Sequence, residues 1–398
     1  MRWTTLCIVV LLSGASVRPS HAGEMQEMLE SAWSKNAEIA TLEARRAEIM
    51  ARKRAAGRLT PGPPSLGVGH LNDYATGDDG YREYDVELGT PLWLPGEGTA
   101  SRSLADRELA RLQAQLALAR LNVAGEVRDA YWSVRLGEGS VDLARRRLQA
   151  ARALQADVDR QVVAGQVAFA DLLLAKGETL EAQSVLSEQE AALTEARLAF
   201  QALTGAPSAA DFAEPEPADR SFEQHPRLAA LRTTIDVAEA NTRLIRIQDR
   251  DNPEVAFLGV VERQLYNEPY DKRIGVRVTI PFATEGRNAP RRAASEAERV
   301  QALAELQTAE RQVRAEVGRA EADLISAQER ASLADQRYRA FAERLALVER
   351  SVRVGETAFV ELVRARAGVF EADLARLRSE ITSMQARSRL NQALGLLP

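Results

Sequence analysis

The chain has 398 residues, with 52 basic against 57 acidic side chains of interspersed sign and a formal net charge of −5. Without a basic patch it is no nucleic-acid binder. One cysteine, Cys7, excludes a disulfide framework, and an aromatic content of 5% is low for a single compact globule of this length.

Residues 1–22 read as a secretion signal. Arg2 supplies the positive end, Leu6 to Leu12 the apolar run, and Ser20-His21-Ala22 a small-x-small cleavage motif. The run falls short of the ~20 residues that span a bilayer, and no later apolar run reaches that length. Cys7 lies within the signal. Taking Arg2 and Arg18 from the 52 basic residues leaves 50 against 57 acidic, a net charge of about −7. The histidines that remain, His70 and His225, are far apart, and Met25, Met28, Met50 and Met384 form no cluster. No resident metal or cofactor is expected, because transition-metal sites need grouped His, Cys or Met.

A first structural repeat is read over residues 23–207. Glu24 to about Gly57 has helical character, stopped by Thr60-Pro61-Gly62-Pro63-Pro64. Residues 64–91 alternate with period two about a Gly/Asp-rich turn, as in a β-hairpin: Tyr84, Val86 and Leu88 share one face, Glu83, Asp85 and Glu87 the other. From Glu97 to Arg160 a helical pattern that would extend roughly 95 Å is little interrupted, past Gly98 at its start, except by Gly125, Gly137 and Gly139. Val167 to Leu203 is helical again and closes at Gly205-Ala206-Pro207.

A Pro/Ala/Glu linker at 208–222 leads to a second repeat, 223–398, with the same plan. Its helices are read at Glu223–Ile247, Arg287–Arg353 and Thr357–Leu394, and its hairpin at about 253–282. There Ile274, Val276, Val278 and Ile280 alternate with Arg273, Gly275, Arg277 and Thr279. The repeats match at an offset of 190 residues: Gly165 with Gly355, Phe169 with Phe359, Val86 with Val276, Pro91 with Pro281 and Gly205 with Gly395. Solenoid units run roughly 20–50 residues, so this is a duplicated half-molecule. Apolar seams such as Leu109, Leu112, Leu116, Val123 and Val127 recur at mixed three and four spacing, suiting long helices packed as coiled coils.

The helices alone describe a coiled-coil rod. The hairpins carry the apolar-out, polar-in alternation of outer-membrane barrel strands, whose barrels have at least about eight strands. Four strands per chain require several chains; three supply twelve. Carboxylate pairs such as Glu126/Asp129 and Glu178/Glu181, with Arg128 and Lys176 nearby, read as helix ion pairs on solvated faces. No nucleophile elbow or phosphate loop appears, so no enzyme is expected.

Three features together resemble the TolC family of outer-membrane efflux proteins over essentially the whole mature chain: the duplication, the junctions Thr90-Pro91-Leu92-Trp93-Leu94-Pro95-Gly96 and Ile280-Pro281-Phe282-Ala283-Thr284-Glu285-Gly286, and the hairpins from Gly165 to Leu172 and Gly355 to Leu362. Leu92-Trp93-Leu94-Pro95-Gly96-Glu97-Gly98 is most similar to the heavy-metal-efflux branch. The resemblance implies a mainly α fold with a small β part. Long antiparallel coiled-coil helices would form a periplasmic tunnel, and two hairpins per chain would contribute four strands to a twelve-stranded barrel shared by a homotrimer. It implies an outer-membrane location in a Gram-negative bacterium, extending into the periplasm, with lipid facing Tyr84, Val86, Leu88, Ile274, Val276, Val278 and Ile280.

It further implies an exit duct that docks a periplasmic adaptor and an inner-membrane pump of the RND type. The docking tips would be Gly165, Phe169, Gly355, Thr357 and Phe359, with Thr357 capping the following helix. A periplasmic gate would hold Asp171 and Glu361, with Arg364 placed to pair with Glu361. The competing readings are a soluble periplasmic coiled-coil adaptor or scaffold and, among ducts, the outer-membrane component of a type I secretion system. This chain departs from many relatives in having no acylated cysteine once the signal is removed, and from the gate pattern in having Leu174 and Arg364 where a second acidic residue is common.

Overall fold

A computed structural model describes residues 21–206 and 214–398. The signal segment therefore lies outside the described residues except for its last two, as does the first part of the 208–222 linker. Among the described residues, seven helices and four strands run in the order α1 (His21–Lys35), α2 (Ala37–Ala55), β1 (Ser65–Asn72), β2 (Arg82–Pro91), α3 (Glu97–Val163), α4 (Phe169–Thr204), α5 (Pro226–Ile247), β3 (Glu254–Arg263), β4 (Asp271–Thr279), α6 (Glu285–Arg353) and α7 (Phe359–Ala393). The helix–hairpin–long helix–helix plan appears twice.

The helix expected from Glu24 to Gly57 is broken in two at Asn36. Its extended backbone ends α1, and its side-chain oxygen accepts the Ile39 N–H at 3.1 Å, capping α2. An Asn competes with the helix by bonding neighbouring backbone, so one well-placed residue interrupts an otherwise continuous pattern. Met25, Leu29 and Ala32 of α1, with Ile39, Leu42 and Ile49 of α2, pack on Leu112, Ala119, Val123 and Val127 of α3.

Helices α3 and α6 have 67 and 69 residues, about 100 Å each at 1.5 Å per residue. Each turns back through a glycine to form an antiparallel pair, α3 with α4 and α6 with α7. The pairs meet near the turns, where Leu154 and Val158 of α3, Leu172 and Ala175 of α4, Val348 and Val352 of α6, and Leu362 and Val363 of α7 make one apolar cluster. Farther along, α6 and α7 hold Leu228 of α5 against Val313, Val317, Leu324 and Leu390. The seam is narrow and rich in alanine, including Ala175, Ala182, Ala302, Ala309 and Ala372, which lets helices approach closely.

The strands form one antiparallel sheet in the order β1-β2-β3-β4. The central pairing, β2 with β3, joins the hairpins of the two repeats, with Val86 opposite Gly259 and Leu88 opposite Phe257. Among the described residues, the outer edges of the sheet, β1 and β4, have no further strand beside them.

Candidate functional site

Residues directly opposite in an antiparallel ladder project to the same side. The register therefore assigns both faces. Leu66 faces Leu88, Val68 faces Val86 and His70 faces Tyr84 across β1 and β2; Phe257 faces Val276 and Val255 faces Val278 across β3 and β4. These make one continuous apolar face, open in the single chain, with Val68 76% and Ile274 95% exposed. The expected set Tyr84, Val86, Leu88, Ile274, Val276 and Val278 lies on it together. Ile280 lies just past the end of β4 and is also exposed.

The other face is charged. Arg277 Nη1 donates to Glu87 Oε2 at 2.7 Å, tying β4 to β2 across β3, and Arg273 pairs with Glu262. Charged side chains of both signs on one face and a belt of aliphatics on the other are what a wall between water and hydrocarbon requires. Aromatic side chains border the apolar face at both ends. Tyr74, Tyr266 and Tyr270 stand near the hairpin turns, while Phe282, with the aliphatic Leu92, is exposed near the helices. No helix among the described residues is long and apolar enough to cross a membrane.

At the far ends of the helical pairs, Gly165 and Gly355 adopt left-handed backbone, at φ 71° and 82°. The Gly165 N–H reaches the Val162 carbonyl at 2.9 Å and the Gln166 N–H the Gln161 carbonyl at 2.9 Å. The second turn repeats these bonds, from Gly355 to Val352 at 3.1 Å and from Glu356 to Ser351 at 3.0 Å. This 6→1 and 5→2 pair is the Schellman helix stop, which needs left-handed backbone at its glycine. The following helices start at Phe169 and Phe359, two residues later than expected. Ala168 and Ala358 are extended and occupy the N-cap positions without a side-chain cap. Thr357 therefore does not cap α7; its hydroxyl meets that of Ser351 at 2.6 Å, bracing the turn against α6 instead. Phe359 packs on the apolar cluster beneath the tips, whereas Phe169 is 63% exposed.

Asp171 and Glu361 occupy equivalent first turns of α4 and α7. Glu361 accepts from Arg364 Nη1 at 2.7 Å and lies 4.0 Å from Arg344 of α6, while Asp171 forms no ion pair among the described residues. The Glu361–Arg364 pair is thus an i,i+3 pair within one helix. The difference between the two turns follows from sequence, since Leu174 stands where Arg364 does.

Two buried polar assemblies escape sequence reading. Arg128, expected on a solvated face, is 4% exposed and holds Glu214 in two parallel bonds of 2.7 and 2.9 Å. It also donates to the Leu396 carbonyl at 3.0 Å, and Glu214 accepts from Ser388 and Asn391, each at 2.7 Å. Trp132 donates to the Ser388 hydroxyl at 2.9 Å. The assembly clamps the linker, the last turns of α7 and the middle of α3. Nothing in the local sequence marks it, because its members come from three separate stretches of the chain, around Arg128, Glu214 and Ser388.

The second assembly lies where helices meet strands. Glu97, 2% exposed, accepts from Leu94 N–H at 3.0 Å, Gln248 at 2.8 Å and Asn252 at 2.6 Å. Arg291 holds the Gln248 carbonyl at 3.2 Å, and Arg287 pairs with Asp251, whose carboxyl that hydrogen bond draws below its usual range. The segment from α5 to β3 is thereby fixed by both repeats. Among the described residues no group of three or more His, Cys, Asp or Glu is placed to hold a metal ion.

These features can be set beside known proteins. A family model described as outer membrane efflux protein matches residues 36–206 and 218–396. A curated relative, the cobalt-zinc-cadmium resistance protein CzcC of Cupriavidus metallidurans, is 28% identical over 221 residues; the match spans half of this chain and half of that protein. Solved structures with the same fold include CusC, at a TM-score of 0.75 and 17% identity over 94% of this chain and 92% of CusC. The open-state MtrE outer membrane channel of Neisseria gonorrhoeae is similar too, at a TM-score of 0.74 and 19% identity over 94% and 89% of the two chains.

Proposed function

The chain belongs to the outer membrane efflux protein family, and on that premise we propose that it is a passive outer-membrane exit duct of a tripartite efflux system. Three copies would close their four-stranded sheets into one barrel, with the long helices continuing as a tunnel into the periplasm. The single observation that carries this reading is the two-faced sheet: a scaffold has no use for a continuous aliphatic face backed by cross-strand ion pairs. A periplasmic adaptor docks on the turns at Gly165 and Gly355, with the exposed Phe169 and the Thr357–Ser351 brace shaping the contact. An inner-membrane pump of the RND type supplies the energy.

The cargo class we propose is the divalent transition-metal cation, supported by the likeness to a cobalt-zinc-cadmium resistance protein. A duct of this kind needs no binding cluster, because the ion passes in transit.

Cell fractionation followed by an export assay tests the whole reading. The expected result is a heat-labile trimer extracted from the outer membrane by detergent, and a deletion strain sensitive to cobalt, zinc or cadmium. Recovery of the protein in the soluble periplasm would sink the duct. An outer-membrane trimer whose loss leaves metal tolerance unchanged would retain the duct and remove the cargo.

A further inference from the structure

We propose that Arg82, Arg263 and Lys272 form a belt on the outer rim of the sheet that binds the phosphate groups of membrane lipid. The proposal rests on the outer-membrane reading and adds the chemistry of the lipid met at one rim. The register puts all three cations on the apolar face. Arg82 stands directly opposite Arg263, and Lys272 opposite Val261, itself the partner of Tyr84. They occupy the turn ends of their strands, being the first residue of β2, the last of β3 and the second of β4. Glu83, Asp85, Glu87, Glu254, Glu262 and Asp271 all fall on the opposite face by the same register. The aliphatic face thus ends in three cations and no strand carboxylate.

Like charges directly opposite each other destabilise a sheet. Nothing in the chain neutralises this pair: among the described residues neither arginine nor Lys272 forms an ion pair, and Arg82 Nε is buried without a hydrogen-bond partner. Their guanidinium groups lie instead over tyrosine rings, Arg82 over Tyr74 at 5.2 Å and Arg263 over Tyr266 and Tyr270 at 5.5 and 5.1 Å. Of the nearby loop carboxylates, Asp73 accepts from the Gly80 N–H at 3.1 Å through one oxygen while its Oδ1 is buried without a partner, and Asp78 accepts from the Tyr266 hydroxyl; among the described residues neither forms an ion pair with the three cations. The face lacks an anion, and its neighbours do not supply one.

Position identifies the missing anion. From Leu92 to Arg82 the chain rises about 33 Å along β2, or about 25 Å along the membrane normal once a barrel tilt is applied, the height of the apolar band. The cations therefore leave the hydrocarbon at the headgroup layer, among tyrosines of the kind that favour that interface. Whatever binds them must place its negative charge beside Arg82 and its apolar part over Val86, Val68 and Ile274 beneath. A phosphate headgroup above acyl chains meets both demands; a free anion meets one.

The test uses the full-length protein purified in detergent and titrated, under native mass spectrometry, with bis-phosphorylated lipid A and with the same lipid after enzymatic dephosphorylation. We expect the phosphorylated lipid to bind at least about tenfold more tightly. The triple variant Arg82→Gln, Arg263→Gln, Lys272→Gln should lose that preference, and Arg277→Gln on the charged face should keep it. Equal affinity of the unmodified protein for both lipids would overturn the belt, and that comparison needs no variant to fold. An unchanged preference in the triple variant, or displacement of the lipid by inorganic phosphate at equal concentration, would overturn it as well. Failure of the unmodified protein to enter phosphatidylcholine vesicles would remove the membrane reading itself, whereas entry without phosphate preference removes the belt alone.

Discussion

Gly355 and His225 show how single residues set local structure here. At Gly355 a Cβ would meet nothing within 4 Å, so substitution there strains the backbone without a clash. Left-handed backbone costs a β-branched residue about 1–2 kcal/mol. Gly355→Val should therefore yield normally inserted trimers with a displaced turn, failed cross-linking to the adaptor and lost export; full export by this variant would remove the tip from the mechanism. His225 is 6% exposed and caps α5, its Nδ1 accepting the Arg227 N–H at 3.1 Å. Burial lowers its pKa from the ordinary value of about 6.5, partly opposed by Glu316. The neutral ring is the form that accepts, and the unfolded chain takes up the proton first on acidification. The stability contributed is thus fully present above about pH 6.5 and is lost as pH falls through and below that value. His225→Asn can still cap but cannot titrate. Melting curves between pH 7.5 and 5 should show a smaller acid loss for this variant than for the unmodified protein, and parallel curves would contradict the assignment.

Between elements, buried polar contacts decide where the repeats meet. Arg128 and Glu214 are both almost fully buried, so removing one leaves the other charged and unpaired. Glu214→Ala should cost about 3–5 kcal/mol in denaturant titration. It should also open the linker near Pro215 to protease, since Asn391 donates both to Glu214 and, at 3.2 Å, to the Pro215 carbonyl. A cost below about 1 kcal/mol would mean that the clamp contributes little. In the sheet, Val276→Arg places a charge on the aliphatic face and should cost about 2–4 kcal/mol near the midplane. Arg277→Gln, one residue along, removes the bond to Glu87 on the charged face and should leave assembly intact while changing conductance. Equal tolerance of charge at both positions would contradict the assignment of faces.

At the scale of the assembled molecule, three-fold symmetry would multiply Asp171 and Glu361 into as many as six carboxylates at the periplasmic end. Rings of carboxylates select and retain cations. Glu361 is already shared with Arg364 at 2.7 Å, whereas Asp171 has no such partner among the described residues, so the first repeat should dominate. In single-channel recording, Asp171→Asn should lower cation selectivity and divalent block more than Glu361→Gln, and Arg364→Gln should strengthen the block. Unchanged selectivity in the Asp171→Asn, Glu361→Gln double variant would rule the ring out.

Periodicity and punctuation made most of the architecture readable. The 190-residue offset is visible by matching the sequence against itself, while the period-two alternation of Tyr84, Val86 and Leu88 and the glycines at 165 and 355 are local signals, because helix, strand and turn preferences act between residues close along the chain. The same logic misplaced the starts of α4 and α7 by two residues and missed the break at Asn36, where capping outweighs pattern. Tertiary structure alone decided that Arg128 is buried rather than solvated, that Glu97 fastens the α5–β3 segment, and that Thr357 braces α6. It alone put Arg82 opposite Arg263. Apart from the Thr357–Ser351 brace, these pairings join residues far apart in the chain, and a charge reads the same in sequence whether water or a distant partner satisfies it; only packing chooses between them.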